Sequence, residues 1–541
     1  MPRSLEDKAA GLLVVRLGNN LPPAVTASEA EDEVAALLDR YAIGGLILFN
    51  GRWPETRDTL ARLQARSEHG LIVTTDMERG LGQQVAGGTL YPHAAAFGQL
   101  GDAEAVRTFA AQASREALAC GIHVTYSPVV DVDRNPDNPI IGARAFSDDP
   151  ETVARLATAF VEGVHDAGQF ATAKHFPGHG GTTGDSHAEL PVLDDDRDTL
   201  EATDFVPFRA TIDAGVDLVM TSHVIYPALD PDRPATRSPA ILRGLLRDEM
   251  GFEGVVVTDS LQMAGAKVEG RTEADVAIEL LEAGVDLFVD AVDPAALIDG
   301  LAAAVRDGRL DEALLDAALT RVDRLRTRLR ARFGDDVFRQ PPVEAEAIRA
   351  PAHVDLARRV AHDVLHVARG PLPDLGDGTG VLVVLMKPAP RPNEPETMPM
   401  GEAVARLLPA AVYRELEPTH EDQDDEFDQI RLLAAEARAL VIATIARPAA
   451  WSTFGLAARE RRFATRLMQA HPTTLVVLGD ARGLRGYADC EAALVTFSDV
   501  AASQVAAVER LARPEAHDDG SSPAEPTARE AGPPDATPPA A

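Results

Sequence analysis

The chain has 541 residues and a formal net charge of −33, with 45% hydrophobic and 25% charged residues. This length predicts two domains with additional segments. The acidic balance disfavours binding to nucleic acid and to anionic membranes, because their phosphate groups would be repelled. The two cysteines, Cys120 and Cys490, are too few for a disulfide framework.

The first twenty residues contain no basic region followed by a long apolar stretch. No run of about 18 apolar residues, the length needed to span a membrane, occurs anywhere in the sequence. These two observations favour a cytoplasmic protein. The partner that we expect is a small molecule, whereas the sequence does not indicate an oligomeric state.

Short apolar runs rich in β-branched residues recur in the first part of the chain, and a helix-like stretch follows each. Their apolar character is continuous, which is typical of parallel strands covered by helices on both faces. The predicted strands begin at Gly11, Gly44, Leu71, His123, Phe170, Val216, Gly254 and Val285. Eight β/α units predict an α/β fold of the (β/α)8 TIM-barrel type, with a doubly wound open sheet as the alternative.

Composition changes along the chain predict its domain organisation. Residues 1–335 end with an arginine-rich helical stretch and are expected to form the barrel, and 336–350 contain a Pro-Pro pair typical of a linker. In 351–513, four apolar runs alternate with helical stretches and predict a smaller α/β sandwich domain. Residues 514–541 are rich in proline, alanine and acidic residues without periodicity, and we expect a disordered tail.

Polar residues stand where several predicted strands end. They are Asp76 after the third strand, Lys174 and His175 on the fifth, His223 after the sixth and Asp259 after the seventh. Since the carboxyl ends of barrel strands carry the chemistry in this fold, the coincidence predicts an enzyme. By its position, His223 is a candidate substrate-binding residue.

The loop after the fifth strand is unusually rich in titratable groups: "AKHFPGHGGTTGDSHAELP" covers residues 173–191. A zinc site would use His175, His179, Asp185 and His187 as ligands. However, the Pro-Gly pair between the first two histidines opposes the helix that would align them, and a glycine-rich loop does not fix ligands. A phosphate cradle is also disfavoured, because the lysine precedes the glycines. We therefore expect neither a metal nor a cofactor.

Acid/base chemistry fits the same loop better. Asp185 and His187 stand two residues apart, so in an extended segment both side chains point to one side. A carboxylate that accepts from one imidazole nitrogen fixes the tautomer and raises the pKa of the other nitrogen. The alternative is a loop in which both side chains only satisfy backbone groups.

Two further residues have a functional and a structural interpretation. Asp259 follows "GVVVT" and is either an ionised nucleophile or charge stabiliser, or the N-cap of a helix beginning near Leu261. Ser260 is also able to provide that cap. Arg144, in "IIGARAF", either clamps hydroxyls or a carboxylate, or forms an ion pair with a nearby aspartate.

Several ordered motifs carry a family resemblance. They are "DMERG", "GIHVTYSPVVDV", "NPIIGARAFSDDP", the loop at 173–191, "TSHVIYPALDPDRPATRSP" and "LLRDEMGFEGVVVTDSLQMAGA". With them, the span from about Leu5 to Phe333 resembles the barrel domain of glycoside hydrolase family 3, and in particular its bacterial β-N-acetylhexosaminidase branch. The second domain resembles the sandwich that follows the barrel in longer members.

The resemblance implies a role for each matching residue. Asp259 matches the family's catalytic nucleophile, and His187 matches the general acid/base of the branch, with Asp185 as its dyad partner. The positions that hold the hydroxyls of the terminal sugar match Asp76, Arg144, Lys174 and His175. Because the acid/base lies in the barrel, we expect the second domain to be structural or to shape the aglycone side.

The implied activity is that of a retaining exo-β-N-acetylglucosaminidase acting on peptidoglycan fragments. The alternatives are a phosphorylase, because a neutral imidazole would not repel phosphate, a β-glucosidase of the same family, and a sugar-binding protein without activity. The chain departs from the branch at Arg79, Leu81 and Gln84, and at Ser260 where many relatives have aspartate. These departures concern sugar and aglycone specificity.

Overall fold

The computed structural model describes residues 3–186, 188–388, 398–417, 423–447 and 455–514. The first part of the chain contains the eight strands that the sequence predicted. They are β1 (Leu13–Leu17), β2 (Gly45–Leu48), β3 (Ile72–Thr75), β4 (Val124–Thr125), β5 (Thr172–Phe176), β6 (Leu218–Thr221), β7 (Val255–Val257) and β8 (Phe288–Val289).

These strands form a closed parallel barrel. One sheet has the order β8-β1-β2-β3-β4 and a second has the order β7-β6-β5. Parallel bridges join the two sheets along both pairs of edges, one between Val124 and Phe170 and the other between Val257 and Leu287. The predicted TIM-type barrel is therefore confirmed, and the open sheet is not the architecture.

Helices cover the barrel, and local sequence signals set their ends. Helix Pro150–Ala167 begins with proline behind Asp149, whose side chain accepts from Thr152 N, and ends at Gly168 with φ +93°. The others are Leu5–Ala10, Glu31–Leu38, Glu55–Gln64, Ala94–Leu100, Ala103–Cys120, Arg197–Ala202, Phe205–Asp213, Ala240–Glu249, Glu273–Ala283, Pro294–Arg306 and Glu312–Phe333. Two short ladders pair Gly51–Arg52 with Val85–Ala86 and Ile225–Tyr226 with Asp230–Pro234.

The second α/β unit is built on a six-stranded sheet with the order β9-β14-β13-β12-β10-β11. Its strands are β9 (His366–Arg369), β10 (Val381–Met386), β11 (Val412–Leu416), β12 (Ala439–Ala446), β13 (Thr473–Gly479) and β14 (Ala492–Val495). Its helices are Pro351–Asp363, Pro399–Leu407, Gln423–Glu436, Ala458–Ala470 and Ala501–Ala512. Alternate residues of β10 enter different cores, Leu382 and Val384 on one face and Val381 and Val383 on the other, as a sandwich requires.

Helix Pro351–Asp363 connects the two cores. Leu356 and Val360 belong to the barrel core, while the same helix packs on helix Ala501–Ala512. The division into 1–335, a linker at 336–350 and 351–513 thus stays a prediction. Of the tail predicted at 514–541, all except Pro514 lies outside the described residues. In the part of the chain that the structure describes, no helix combines the length and apolarity required to cross a membrane.

Candidate active site

The carboxyl ends of the barrel strands bring five of the predicted site residues together. Lys174 Nζ donates to Asp76 Oδ1 at 2.7 Å. Arg144 Nη2 lies 3.5 Å from His175 Nε2, which in turn lies 3.9 Å from Asp259 Oδ2. The side chains of Asp76 and Asp259 are 27% and 23% exposed, whereas that of Lys174 is 3% exposed. The two carboxylates thus face the solvent-accessible side of the cluster.

Glu78 organises the two cations of this cluster. Arg144 donates to it through Nε at 2.9 Å and Nη2 at 2.8 Å, and Lys174 Nζ lies 2.8 Å from Oε1. Burial opposes ionisation of Glu78, but Arg144 and Lys174 outweigh it and hold the pKa of the carboxyl well below its usual range. The bidentate pair fixes the plane of the Arg144 guanidinium. We did not predict Glu78, although it lies in "DMERG", because it stands two residues beyond Asp76, the position that we took as the polar end of the third strand.

Replacing Glu78 with glutamine is expected to lower the free energy of unfolding by roughly 3 kcal/mol at pH 7, because it leaves two buried cations without their shared anion. A carboxyl whose folded pKa is depressed stabilises the fold above its unfolded pKa of about 4.5. The difference between wild type and Glu78→Gln should thus be constant from neutral pH to about pH 5 and shrink below 4.5. Urea unfolding across this range measures it.

The control for this experiment is the exposed residue Glu68, whose change to glutamine should alter stability by less than about 0.5 kcal/mol. A stability difference for Glu78→Gln that grows towards acid pH would contradict the role assigned to this carboxylate.

Asp131 holds the ring of His175. Its Oδ2 lies 2.7 Å from His175 Nδ1, and its Oδ1 accepts from the backbone N of His179 at 2.6 Å. Since a carboxylate only accepts, the ring carries its proton on Nδ1 and directs Nε2 towards Arg144 and Asp259. Asp131 is fully buried and was also not predicted. The sequence signal that could have identified it is its position after the fourth strand, as the first aspartate in "SPVVDVD".

The turn after Asp259 is held by the last barrel strand. Asp259 Oδ1 accepts from Ser260 N at 2.7 Å, and Ser260 Oγ donates to Asp290 Oδ2 at 2.6 Å. Asp290, which follows β8, also accepts from Gln262 Nε2 at 2.8 Å and from both Nε and Nη2 of Arg16 on β1. Asp290 is fully buried, so these donors satisfy its charge. The rule that strand ends carry polar residues would have found it.

The helix-cap interpretation of Asp259 is wrong. No α-helix begins near Leu261, where the described chain forms turns and a short helical turn at Ala264–Ala266, and the next helix is Glu273–Ala283. Asp259 therefore is not needed as a cap, and its Oδ2 is directed towards His175.

The histidine-rich loop is fixed at its base by His179. The ring contacts Thr182 Oγ1 through Nδ1 at 2.7 Å and Ser186 Oγ through Nε2 at 2.9 Å. Burial, followed by the neighbouring His175, lowers the pKa of His179 to about 4, so the ring is neutral at pH 7. Ser186 O accepts from Gly265 N at 3.2 Å, which joins this loop to the one that begins at Asp259.

The remaining predicted residues have different outcomes. Asp185 is half-buried beside Ser186, whereas His187 lies outside the described residues. His223 is fully buried next to Gly265, where an added Cβ would lie 2.9 Å from its Cβ. Within the described ranges, no three His, Cys, Asp or Glu residues are arranged to bind a metal ion.

The departures around β3 connect the site with the second α/β unit. Arg79 follows Glu78 and lies 3.7 Å from Asp499, which also forms an ion pair with Arg447 at 2.8 Å. Gln84 Oε1 accepts from Asn20 at 2.7 Å instead of facing the cluster. The second unit thus borders the cluster at Arg79.

Comparisons with known proteins agree with the geometry. Residues 4–325 match the model of the glycosyl hydrolase family 3 N-terminal domain. Beta-hexosaminidase A of Pseudoalteromonas piscicida is 35% identical over 342 residues, 55% of this chain and 55% of that protein, so the chain spans about half of this relative. Beta-hexosaminidase of Tolumonas auensis is 38% identical over 290 residues, 51% of this chain and 85% of that protein.

A solved structure covers both units. The glycoside hydrolase family 3 beta-N-acetylglucosaminidase from Paenibacillus sp. str. FPU-7 is 27% identical, with a TM-score of 0.82, over 94% of this chain and 97% of that chain. The closed barrel, its polar face and these matches together define the class of protein, a glycoside hydrolase. The chain belongs to glycosyl hydrolase family 3, as its motifs predicted.

Proposed function

We propose that the protein is a retaining exo-β-N-acetylglucosaminidase that releases terminal β-linked N-acetylhexosamine from small glycosides. The observation that carries the proposal is the contact of Asp259 with the cluster formed by Arg144 and His175 at the carboxyl ends of the strands. The printed names of the relatives, β-hexosaminidase and β-N-acetylglucosaminidase, support the choice of sugar.

The sugar-binding roles rest on donors and acceptors with fixed directions. Lys174 and Arg144 present N–H groups to hydroxyl oxygens, and the partly exposed Asp76 accepts from hydroxyl hydrogens. His175 presents Nε2 beside Asp259, and the buried His223, which packs against Gly265, is proposed to contribute to the same site. A ring of charged groups in fixed positions is suited to holding a polar, uncharged sugar.

The proposed reaction has two displacements. Asp259 attacks the anomeric carbon while His187 protonates the departing oxygen, which gives a glycosyl ester and a free alcohol. His187 then removes a proton from water, whose oxygen replaces Asp259 at the anomeric carbon and restores the original configuration. Asp185 is proposed to orient His187. Ser186 lies between the two dyad residues in sequence, and its carbonyl accepts a hydrogen bond from Gly265 in the loop that begins at Asp259. This contact between the two loops supports the proposal that the dyad acts together with Asp259.

The test compares an aryl β-N-acetylglucosaminide with the matching aryl β-glucoside. We expect kcat/KM to be at least about 10-fold higher for the N-acetyl substrate, because a pocket that contacts the acetamido group loses those contacts with glucose. Equal or faster cleavage of the glucoside would refute the N-acetyl preference. Absence of cleavage of both substrates would favour the sugar-binding alternative.

The same assay with inorganic phosphate separates hydrolysis from phosphorolysis. If water is the acceptor, phosphate should change neither the rate nor the product, which is the free sugar. Accumulation of sugar 1-phosphate would identify a phosphorylase instead. As the natural source of the substrate we propose peptidoglycan fragments, on the strength of the family resemblance. Release of N-acetylglucosamine from such fragments tests this source.

A further inference from the structure

The guanidinium of Arg482 joins the second α/β unit to the barrel. It lies in the turn after β13, with a side chain that is 11% exposed. Nη1 donates to the carbonyl oxygens of Pro136 and Asn138, both at 3.2 Å. Nη2 and Nε donate to Asp480 Oδ2 at 2.6 and 2.9 Å. The ion pair of Arg482 and Asp480 is therefore oriented by contacts on both sides of the junction.

This ion pair lies directly against the backbone that carries Arg144. A Cβ added at Gly142, which has φ +43°, would lie 1.7 Å from Arg482 Nη2 and 2.6 Å from Asp480 Oδ2. Gly142 begins the short helical turn Gly142–Arg144. Because only a residue without a side chain allows this approach, the ion pair packs directly against the turn, and a shift of the ion pair is expected to shift the turn.

The same barrel segment also holds the base of the acid/base loop. Asn138, whose carbonyl accepts from Arg482, donates through Nδ2 to His179 O at 2.9 Å and Thr182 O at 3.1 Å. Its Oδ1 accepts from the backbone N of Ile140 and Ile141. One asparagine thus connects the turn that carries Arg144 with the segment that precedes Asp185.

We propose that Arg482 is a positioning residue, through which the second α/β unit sets the geometry of the sugar site in the barrel. It acts by holding the 136–142 segment, and through that segment Arg144 and the base of the acid/base loop. The inference rests on the proposed function for the roles of those two elements. It also gives the second unit a part in catalysis without supplying a group that touches the substrate.

The first test is Arg482→Ala, with Arg485→Ala as the matched control. Arg485 donates to the same carbonyl of Pro136 at 3.2 Å and pairs with Asp137 at 3.3 Å, but its side chain is 54% exposed. We expect Arg482→Ala to lower kcat/KM by about 10- to 100-fold with a raised KM, because displacements of about 1 Å cost that much. Arg485→Ala should stay within about two-fold of wild type.

A purely structural role predicts different results. If Arg482 acts through Arg144, then Arg144→Ala combined with Arg482→Ala should lose less activity than the product of the single effects. The inference would be overturned if the activity of the double variant fell by the full product of the two single effects. It would also be overturned if the activity loss of Arg482→Ala disappeared at a low temperature at which every variant is folded. If Arg482→Ala does not fold, Asp480→Asn takes its place and should lower kcat/KM at least about 3-fold relative to Arg485→Ala.

A binding measurement separates this inference from the proposed function. Calorimetry with N-acetylglucosamine and with glucose reports on the sugar site without turnover. Arg482→Ala should weaken binding of the preferred sugar by about 10-fold, and Arg485→Ala should not. Equal affinities of the two variants would overturn the positioning role. If the wild type prefers glucose, only the N-acetyl proposal is refuted. The positioning role is then tested by comparing the affinities of Arg482→Ala and Arg485→Ala for glucose.

Discussion

Changing Asp259 to alanine is expected to reduce hydrolysis of the aryl β-N-acetylglucosaminide by at least about 1,000-fold, the largest loss for any single residue of the site. In the proposed mechanism this carboxylate forms the covalent intermediate and is the counter-ion of the positive charge that develops on the sugar ring, so its removal would abolish both contributions. Steady-state kinetics measures the loss. With wild type, a slow fluorinated sugar should label the peptide that contains Asp259, as shown by mass mapping.

Two further measurements sharpen this prediction. Sodium azide should restore part of the turnover of Asp259→Ala, since azide can attack the anomeric carbon from the vacated side and give a glycosyl azide of inverted configuration. Glu269→Ala, an exposed change in the same loop, should leave turnover within about two-fold. Label on any other peptide, or an Asp259→Ala variant as active as the Glu269 control, would remove Asp259 from the reaction.

Changing His187 to alanine is expected to lower turnover by about 100- to 10,000-fold, the usual effect of removing a general acid/base. The loss should be smallest in the first step for aryl groups that leave easily, because they do not need protonation. A series of aryl substrates with leaving groups of different acidity measures this dependence. It should be steeper in His187→Ala than in wild type.

Thr183→Ala serves as the control for His187, because Thr183 is an exposed residue of the same loop. Its turnover should stay within about two-fold of wild type. If His187→Ala retained full turnover of a poor leaving group, the acid/base would have to be sought elsewhere. Asp185→Asn should follow the same leaving-group trend, since in the proposed dyad it would remove the partner that fixes the imidazole tautomer.

The barrel was predictable because its strands are buried on both faces. All four residues of β2, β3 and β6 are buried, so each strand appears in the sequence as a short run without charged residues, in which the only polar side chains are threonines. The same pattern predicted β10, β12, β13 and β14 in the second unit. It missed β9 and β11, the two edge strands, because they are half-exposed and contain polar residues such as Arg414.

The site was predictable only where a strand end or a motif marked a residue. Lys174 and Asp259 satisfy both conditions, and the structure brings them into one cluster. Glu78 and Asp131 act on other charged residues, and their partners lie 66 and 44 positions away in sequence. Such pairs depend on tertiary contacts, which neither spacing nor hydrophobic pattern contains. The role of Arg482 is even harder to predict from the sequence, since its partners in the barrel lie about 340 positions earlier.

The ion pair between Arg16 and Asp290 couples the start of the barrel to its end. One partner lies on the first strand and the other follows the eighth, so the pair forms only when the ring of strands closes. The side chain of Ser260 donates to the same Asp290 carboxylate, and the backbone N of Ser260 donates to Asp259. The ion pair therefore also holds the backbone beside Asp259. We therefore expect the backbone beside Asp259 to become ordered only after β1 and β8 have paired. Recovery of turnover during refolding should report completion of the ring, later than the recovery of circular dichroism.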